Sequence, residues 1–268
     1  MKGVFGEQRL VRSDVGAAQR LLFRLMGVAD PSYYLHHRYL HRALDSWGVP
    51  PPTRILDAGC DTAEFSFYLA RRYAAADVLG VDIAEERIPR DRELARRLGI
   101  GNARFDIGDL VSLHRPGEFD LVVCIDVLEH IAEQRVALEN LAASLRPDGL
   151  AFFHLPTARP RPVPFHRWLD DFRAWSEKEH QAEVLTAEQF RSRVEKTGLE
   201  VLESRPTFGY YTGELATSLF ALPFRNTPLN RIFQALLAPV CRLLAWADQF
   251  GLEQTRYAIA VMARKPGV

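Results

Sequence analysis

Arg54-Ile-Leu-Asp-Ala-Gly-Cys-Asp-Thr-Ala-Glu-Phe-Ser66 decides how the chain is read. Ile55 and Leu56 are a short apolar strand, Asp57-Ala58-Gly59-Cys60 is a tight turn, and Glu64 onward is helix-forming. A strand turning sharply into a helix aims backbone N–H groups at the C-terminal edge of a sheet, where open α/β folds bind ligands. Downstream, Val78-Leu-Gly-Val-Asp-Ile83 is a second apolar strand closing on Asp82, at a spacing that suits a ribose hydroxyl.

Working outward, strand and helix alternate over 53–155. Strands are expected at 54–57, 77–82, 103–106, 119–125 and 150–155, and helices at 64–73, 85–98 and 133–145. Pro89 falls inside the second helical pattern and is expected to shorten or kink its first turn. Arg146-Pro147-Asp148-Gly149 reads as a turn feeding the fifth strand. This alternation implies a mostly parallel sheet with helices on both faces. Thr186-Ala-Glu-Gln189 matches a capping box, and Gly198 closes the helix it starts. Further strands follow at 199–204 and 257–264.

Three stretches lie outside that alternation. Residues 1–52 read as a helical cap, broken at Asp30-Pro31. Residues 156–182 form a proline-rich loop carrying Trp168, Phe172 and Trp175, either an acceptor wall or packing. Residues 209–254 are a helical insertion, a lid or an interface, with a face that permits peripheral membrane contact. The remaining parts are then a core at 53–208 and a last strand and tail at 255–268.

Composition narrows the classes. The 268 residues have zero formal net charge and no basic stripe, which argues against nucleic acid as partner. The three cysteines, Cys60, Cys124 and Cys241, form no CxxC pair, which fits a reducing cytoplasm. No metal-ligand spacing is evident, so no metal is expected. The start of the sequence lacks an apolar core of a signal peptide, and no long uncharged apolar run predicts a spanning helix.

Five segments now stand in order: Asp57-Ala-Gly-Cys60, Gly80-Val-Asp82, Phe105-Asp-Ile-Gly-Asp109, Phe119 to His130 with its Asp126-Val-Leu-Glu-His130 end, and Leu145-Arg-Pro-Asp-Gly149. The succession resembles the class I S-adenosylmethionine-dependent methyltransferases, in the small-molecule branch. The resemblance implies a Rossmann-like, doubly wound, seven-stranded sheet whose last strand is antiparallel and inserted between strands five and six. It implies S-adenosylmethionine as cofactor and a small-molecule, sugar-linked or lipid-linked acceptor, methylated by preference on oxygen. Carried over by position, Asp57, Gly59 and Cys60 would meet the methionine part. Asp82 and Ile83 would meet the ribose side, Asp109 and Leu110 the adenine, and the backbone up to Asp126 the methionine amino group.

His154, at the end of strand five, and His180, in an "EH…T" segment, are the candidate general bases. Glu129 and His130 are either site residues or caps of the helix that follows. The family pattern has glycine where this chain has Asp61 and Ala63. Those two positions keep a second reading open: a catalytically degenerate binding or scaffolding protein with the same fold.

Overall fold

The computed structural model describes residues 5–13, 15–27, 31–46, 50–157, 182–209, 239–240, 243–244, 246–247 and 258–267. The chain opens with a 3-10 turn at Glu7–Leu10, then α1 (Ala17–Met26) and α2 (Pro31–Ser46). The alternating part follows as β1 (Arg54–Ala58), α3 (Glu64–Arg72), β2 (Asp77–Asp82), α4 (Ile88–Leu98), β3 (Ala103–Ile107), β4 (Phe119–Ile125), α5 (Gln134–Ser144) and β5 (Leu145–Pro156). It ends in α6 (Ala187–Glu195), β6 (Glu200–Thr207) and β7 (Ala258–Arg264).

The seven strands form one sheet in the order β3-β2-β1-β4-β5-β7-β6. Strands β1 to β5 pair in parallel, and β7 runs antiparallel between β5 and β6. The order reverses between β1 and β4, so a crevice opens at the C-terminal ends of those two strands.

Period-two alternation sends neighbours to opposite faces. Ile55, Val123 and Phe152 pack with Phe67, Leu69 and Leu40 on one side. Leu56, Val122 and Phe153 pack with Leu138, Leu141 and Phe190 on the other. Both faces are therefore covered, which explains the continuous apolar runs in the sequence. Each of the fully buried Phe67, Phe152 and Phe153 contributes about 2 kcal/mol of apolar transfer.

Two boundaries differ from the sequence reading. α4 begins at Ile88, with Pro89 inside its first turn, where a missing N–H is tolerated. β5 begins at Leu145, so Arg146-Pro-Asp-Gly149 is an irregularity within the strand and not a turn ahead of it. Asp148 takes φ +63°, and a β-carbon on Gly149 would lie 2.8 Å from the Arg146 carbonyl oxygen. The capping box stands as read: Gln189 N–H donates to Thr186 Oγ1 at 3.2 Å, and Thr186 N–H to Gln189 Oε1 at 2.8 Å.

The N-terminal elements dock over α3. Arg9 donates to Glu64 Oε1, with Nε at 2.9 Å, and Arg71 Nε donates to Glu7 Oε1 at 2.7 Å. Among the described residues, no helix is long and apolar enough to cross a membrane.

Candidate functional site

The turn after β1 is built by a glycine that packing demands. Gly59 takes φ +78°, and a β-carbon there would meet Val127 Cγ2 at 2.3 Å. Its N–H and that of Cys60 both donate to the Val81 carbonyl, at 2.8 and 3.0 Å. Gly59 thus lets the turn close against the segment after β4. Cys60 is buried, and burial pushes its thiol far up, so it is no nucleophile.

Asp61 and Ala63 take φ +45° and +57°, the left-handed region that favours glycine. The loop therefore keeps a glycine-like path with residues that have side chains, at a cost of about 1–2 kcal/mol per position. The Asp61 carboxylate does not point free. It pairs with the Arg87 guanidinium, and Tyr33 Oη donates to it at 3.2 Å.

Asp82, at the end of β2, fastens the same loop. Its Oδ2 accepts the Asp61 N–H at 2.8 Å and its Oδ1 accepts the Ala84 N–H at 2.9 Å. Each oxygen keeps a lone pair for a further donor. Ile83 beside it is 68% exposed, a large apolar side chain left uncovered at the crevice. Asp57 lies beneath. It is buried and accepts from Ser66 Oγ at 2.5 Å. Burial raises its carboxyl from 3.8 to about 7, against the Ser66 hydrogen bond, with Asp82 and Asp61 adding repulsion.

After β3, Asp109 is exposed and its Oδ1 accepts the Val111 N–H at 2.9 Å, a local Asx turn. Leu110 is buried, and its carbonyl accepts from Asn140 Nδ2 at 3.0 Å.

After β4, Asp126 takes φ +51°, and its N–H donates to the His154 carbonyl at 2.9 Å. Its side chain is the centre of a cluster. Asp126 Oδ1 lies 2.6 Å from His154 Nδ1, and Oδ2 lies 3.0 Å from His36 Nε2. The two imidazoles hold its carboxyl well below the usual range, against the desolvation that would raise it. His154 Nε2 lies 2.9 Å from Thr207 Oγ1, so both of its ring nitrogens are engaged. Burial lowers the His154 pKa despite the neighbouring carboxylate. Its imidazole is packed edge-on against His36, with ring centres 4.4 Å apart, and Phe208 adjoins both.

Glu129 and His130 do not cap α5. They form a 3-10 turn at Leu128–His130, and the position before α5 is Glu133, which makes no side-chain cap. Glu129 is buried, and burial together with the Asp126 charge raises its carboxyl well above normal.

The structure thus brings Asp57, Gly59, Cys60, Asp82, Ile83, Asp126 and His154 to one edge of the sheet, with Asp109 and Leu110 at the end of the neighbouring β3. His180, Trp168, Phe172 and Trp175 lie outside the described residues, as does most of 209–254. Sequence reasoning placed His36, with His37 and Arg38, on a helix able to close over the cofactor, and left Thr207 unassigned. The one local signal for His36 is Ser32 a helical turn earlier, 3.5 Å from its Nδ1.

A family model described as a methyltransferase domain matches residues 30–204. The ubiquinone biosynthesis O-methyltransferase of Neisseria meningitidis serogroup A is 30% identical over 111 residues, covering 40% of this chain and 46% of that protein. The 2-methyl-6-phytyl-1,4-hydroquinone methyltransferase of Synechocystis sp. is 28% identical over 211 residues, covering 74% of this chain and 60% of that protein. The chain therefore spans about half the length of the curated relatives it matches. The solved structure of geranyl diphosphate methyltransferase in complex with SAM is similar at TM-score 0.62 and 14% identity, over 98% of this chain and 96% of that one. At that identity it shows the fold alone.

Proposed function

The chain belongs to the class I S-adenosylmethionine-dependent methyltransferase family, and from that premise we propose that it moves the cofactor's methyl group onto an acceptor oxygen. The acceptor is a small molecule, free or linked to a sugar or lipid. The observation that carries this reading is the meeting of three acidic strand ends, Asp57, Asp82 and Asp126, at the crevice between β1 and β4.

Asp82 takes the ribose hydroxyls with its remaining lone pairs, and Ile83 packs on that side. Asp109 takes the adenine amino group, with Leu110 beneath the ring. Gly59, Cys60 and Asp57 shape the floor under the methionine part, and Asp126 borders its amino group. When bound, S-adenosylmethionine would supply an electrophilic methyl group to the acceptor oxygen and be left as a neutral thioether, while the acceptor's proton would pass to a base. The protein's main contribution is to hold the two reactants in line, about 3–3.5 Å apart.

His154 acts as a positioning residue for Asp126, because both its nitrogens are committed. His180 remains the proposed base. The printed names of the two relatives favour an aromatic hydroxyl on a molecule with a lipid tail. Exposed Val240, Leu243 and Trp246 support a membrane-facing role for the 209–254 insertion, which we assign as a lid or interface, with 1–52 as a helical cap.

The degenerate reading draws on Asp61 and Ala63. Against it, Arg87 and Tyr33 already hold the Asp61 charge. Methyl transfer from labelled S-adenosylmethionine to a panel of quinols and simple phenols tests the proposal. Label in an ether product supports it. Cofactor binding without transfer to any acceptor favours the degenerate reading.

A further inference from the structure

One cluster, which includes Asp126 at the border of the expected methionine site, has a chemistry that methyl transfer does not require. His36 from α2, Asp126 from the turn after β4 and His154 from β5 each present a ligand atom, and those atoms all lie within 4.8 Å of one another. His36 is 4% exposed and His154 2%. Two buried imidazoles facing one carboxylate are costly to assemble unless their polar atoms pair with one another or with a bound ion.

The contacts are not fully explained by hydrogen bonding. His154 Nδ1 is well placed to donate to Asp126 Oδ1 at 2.6 Å. His36 Nε2, at 3.0 Å from Oδ2, is nonetheless a buried nitrogen without a hydrogen-bond partner. Its contact with the carboxylate therefore lacks hydrogen-bond alignment. Hydroxyls adjoin the outer nitrogens: Thr207 Oγ1 holds His154 Nε2 at 2.9 Å, and Ser32 Oγ lies farther from His36 Nδ1, at 3.5 Å. Outer partners of this kind orient imidazoles that ligate metals, and a metal ion would take the place of the proton now shared between His154 Nδ1 and Asp126. Phe208 and Tyr39 supply an apolar surround. The Asp126 side chain is 35% exposed, so the cluster is reachable from one side.

We propose that His36, Asp126 and His154 form a three-ligand site for a divalent first-row metal ion such as Zn2+, Co2+ or Fe2+. Two imidazoles and one carboxylate suit such ions, and three protein ligands leave positions open. The spacing along the sequence gives no sign of it, because the ligands come from three separate elements. The site itself stands on this geometry alone. Its use rests on the proposed function: an acceptor hydroxyl bound at an open position would lose its proton to water more readily and meet the methyl donor as an oxyanion.

The test is titration of the chelator-stripped full chain with Co2+, followed by visible absorption and by equilibrium dialysis. One equivalent is expected, with ligand-field bands, displaced by Zn2+. His36→Gln and Asp126→Asn should abolish stoichiometric uptake. Thr207→Val, which leaves all three ligands in place, should weaken it roughly 10–100-fold. Circular dichroism identifies any variant that fails to fold, and Thr207→Val then carries the comparison. Absence of uptake by the native chain, or uptake unchanged in the folded variants, would overturn the site and leave a metal-free His–Asp–His network. Metal uptake is read without methyl transfer, so failure of either proposal is visible separately.

Discussion

A β-carbon on Gly59 would lie 2.3 Å from Val127 Cγ2 and 2.6 Å from Cγ1, so the β1 turn and the segment after β4 interlock at a single missing side chain. Gly59→Ala must displace a stiff β-branched neighbour and also hold alanine at φ +78°. The expected loss is roughly 3 kcal/mol, from overpacking plus left-handed strain. Adding Val127→Ala should recover the overlap but not the strain. Urea unfolding of the two single variants and the double variant checks this; full additivity of the two losses would contradict the interlock.

Asp82 ties its own strand end to the next loop through two backbone N–H groups. Asp82→Ala leaves those donors without a charged acceptor. We expect a loss of roughly 2–4 kcal/mol in stability and a larger loss of cofactor affinity than of fold. Asp82→Asn should retain one acceptor and lose less. Equal cofactor affinity in native and Asp82→Ala protein would remove Asp82 from the site.

Asp57 gives a pH signature with a fixed sign. Its carboxyl is raised from 3.8 to about 7 by burial, so the native state holds a proton that the unfolded chain releases. The resulting stability is fully present below the unfolded value and is lost as pH rises to about 7. Asp57→Asn removes that loss while keeping an acceptor for Ser66. The variant should therefore gain on the native chain across this window, by up to ~4 kcal/mol. Melting temperatures measured at both ends of the window check it. Parallel curves would mean that Asp57 is ionised in the folded protein throughout.

The Asp61 and Ala63 loop already follows the left-handed path that glycine would take. Asp61→Gly with Ala63→Gly should consequently raise S-adenosylmethionine affinity by less than about tenfold, a 1.4 kcal/mol effect. A gain of several hundredfold would show that the native residues disable the site.

The alternation of strands and helices was legible because each buried strand leaves a short apolar run, and each helix a 3.6-residue stripe. Ile55-Leu56 and Val122-Val123 are buried on both faces and read as strands directly. The start of β5 was not legible. Pro147 and Gly149 have turn chemistry, yet β7 pairs alongside and Asp148 N–H donates to the Lys265 carbonyl at 2.9 Å. Tertiary pairing there absorbs an irregularity that local propensity reads as a break. The acidic strand ends were legible by spacing. The partners of Asp126 and His154 were not, since His36 reaches Asp126 and Thr207 reaches His154 only through the packing of α2 and β6 on the sheet edge. Packing adds a second demand on Gly59: the resemblance implies a place near the methionine part, and Val127 fills the space a side chain would take.

Isothermal titration of the native chain with S-adenosylmethionine and with its demethylated product is the most direct measurement. A methyl-donor site built on Asp57, Asp82 and Asp126 should bind both, at one equivalent each, with binding lost in Asp82→Ala. No heat and no retention of either compound by the folded native chain would contradict it.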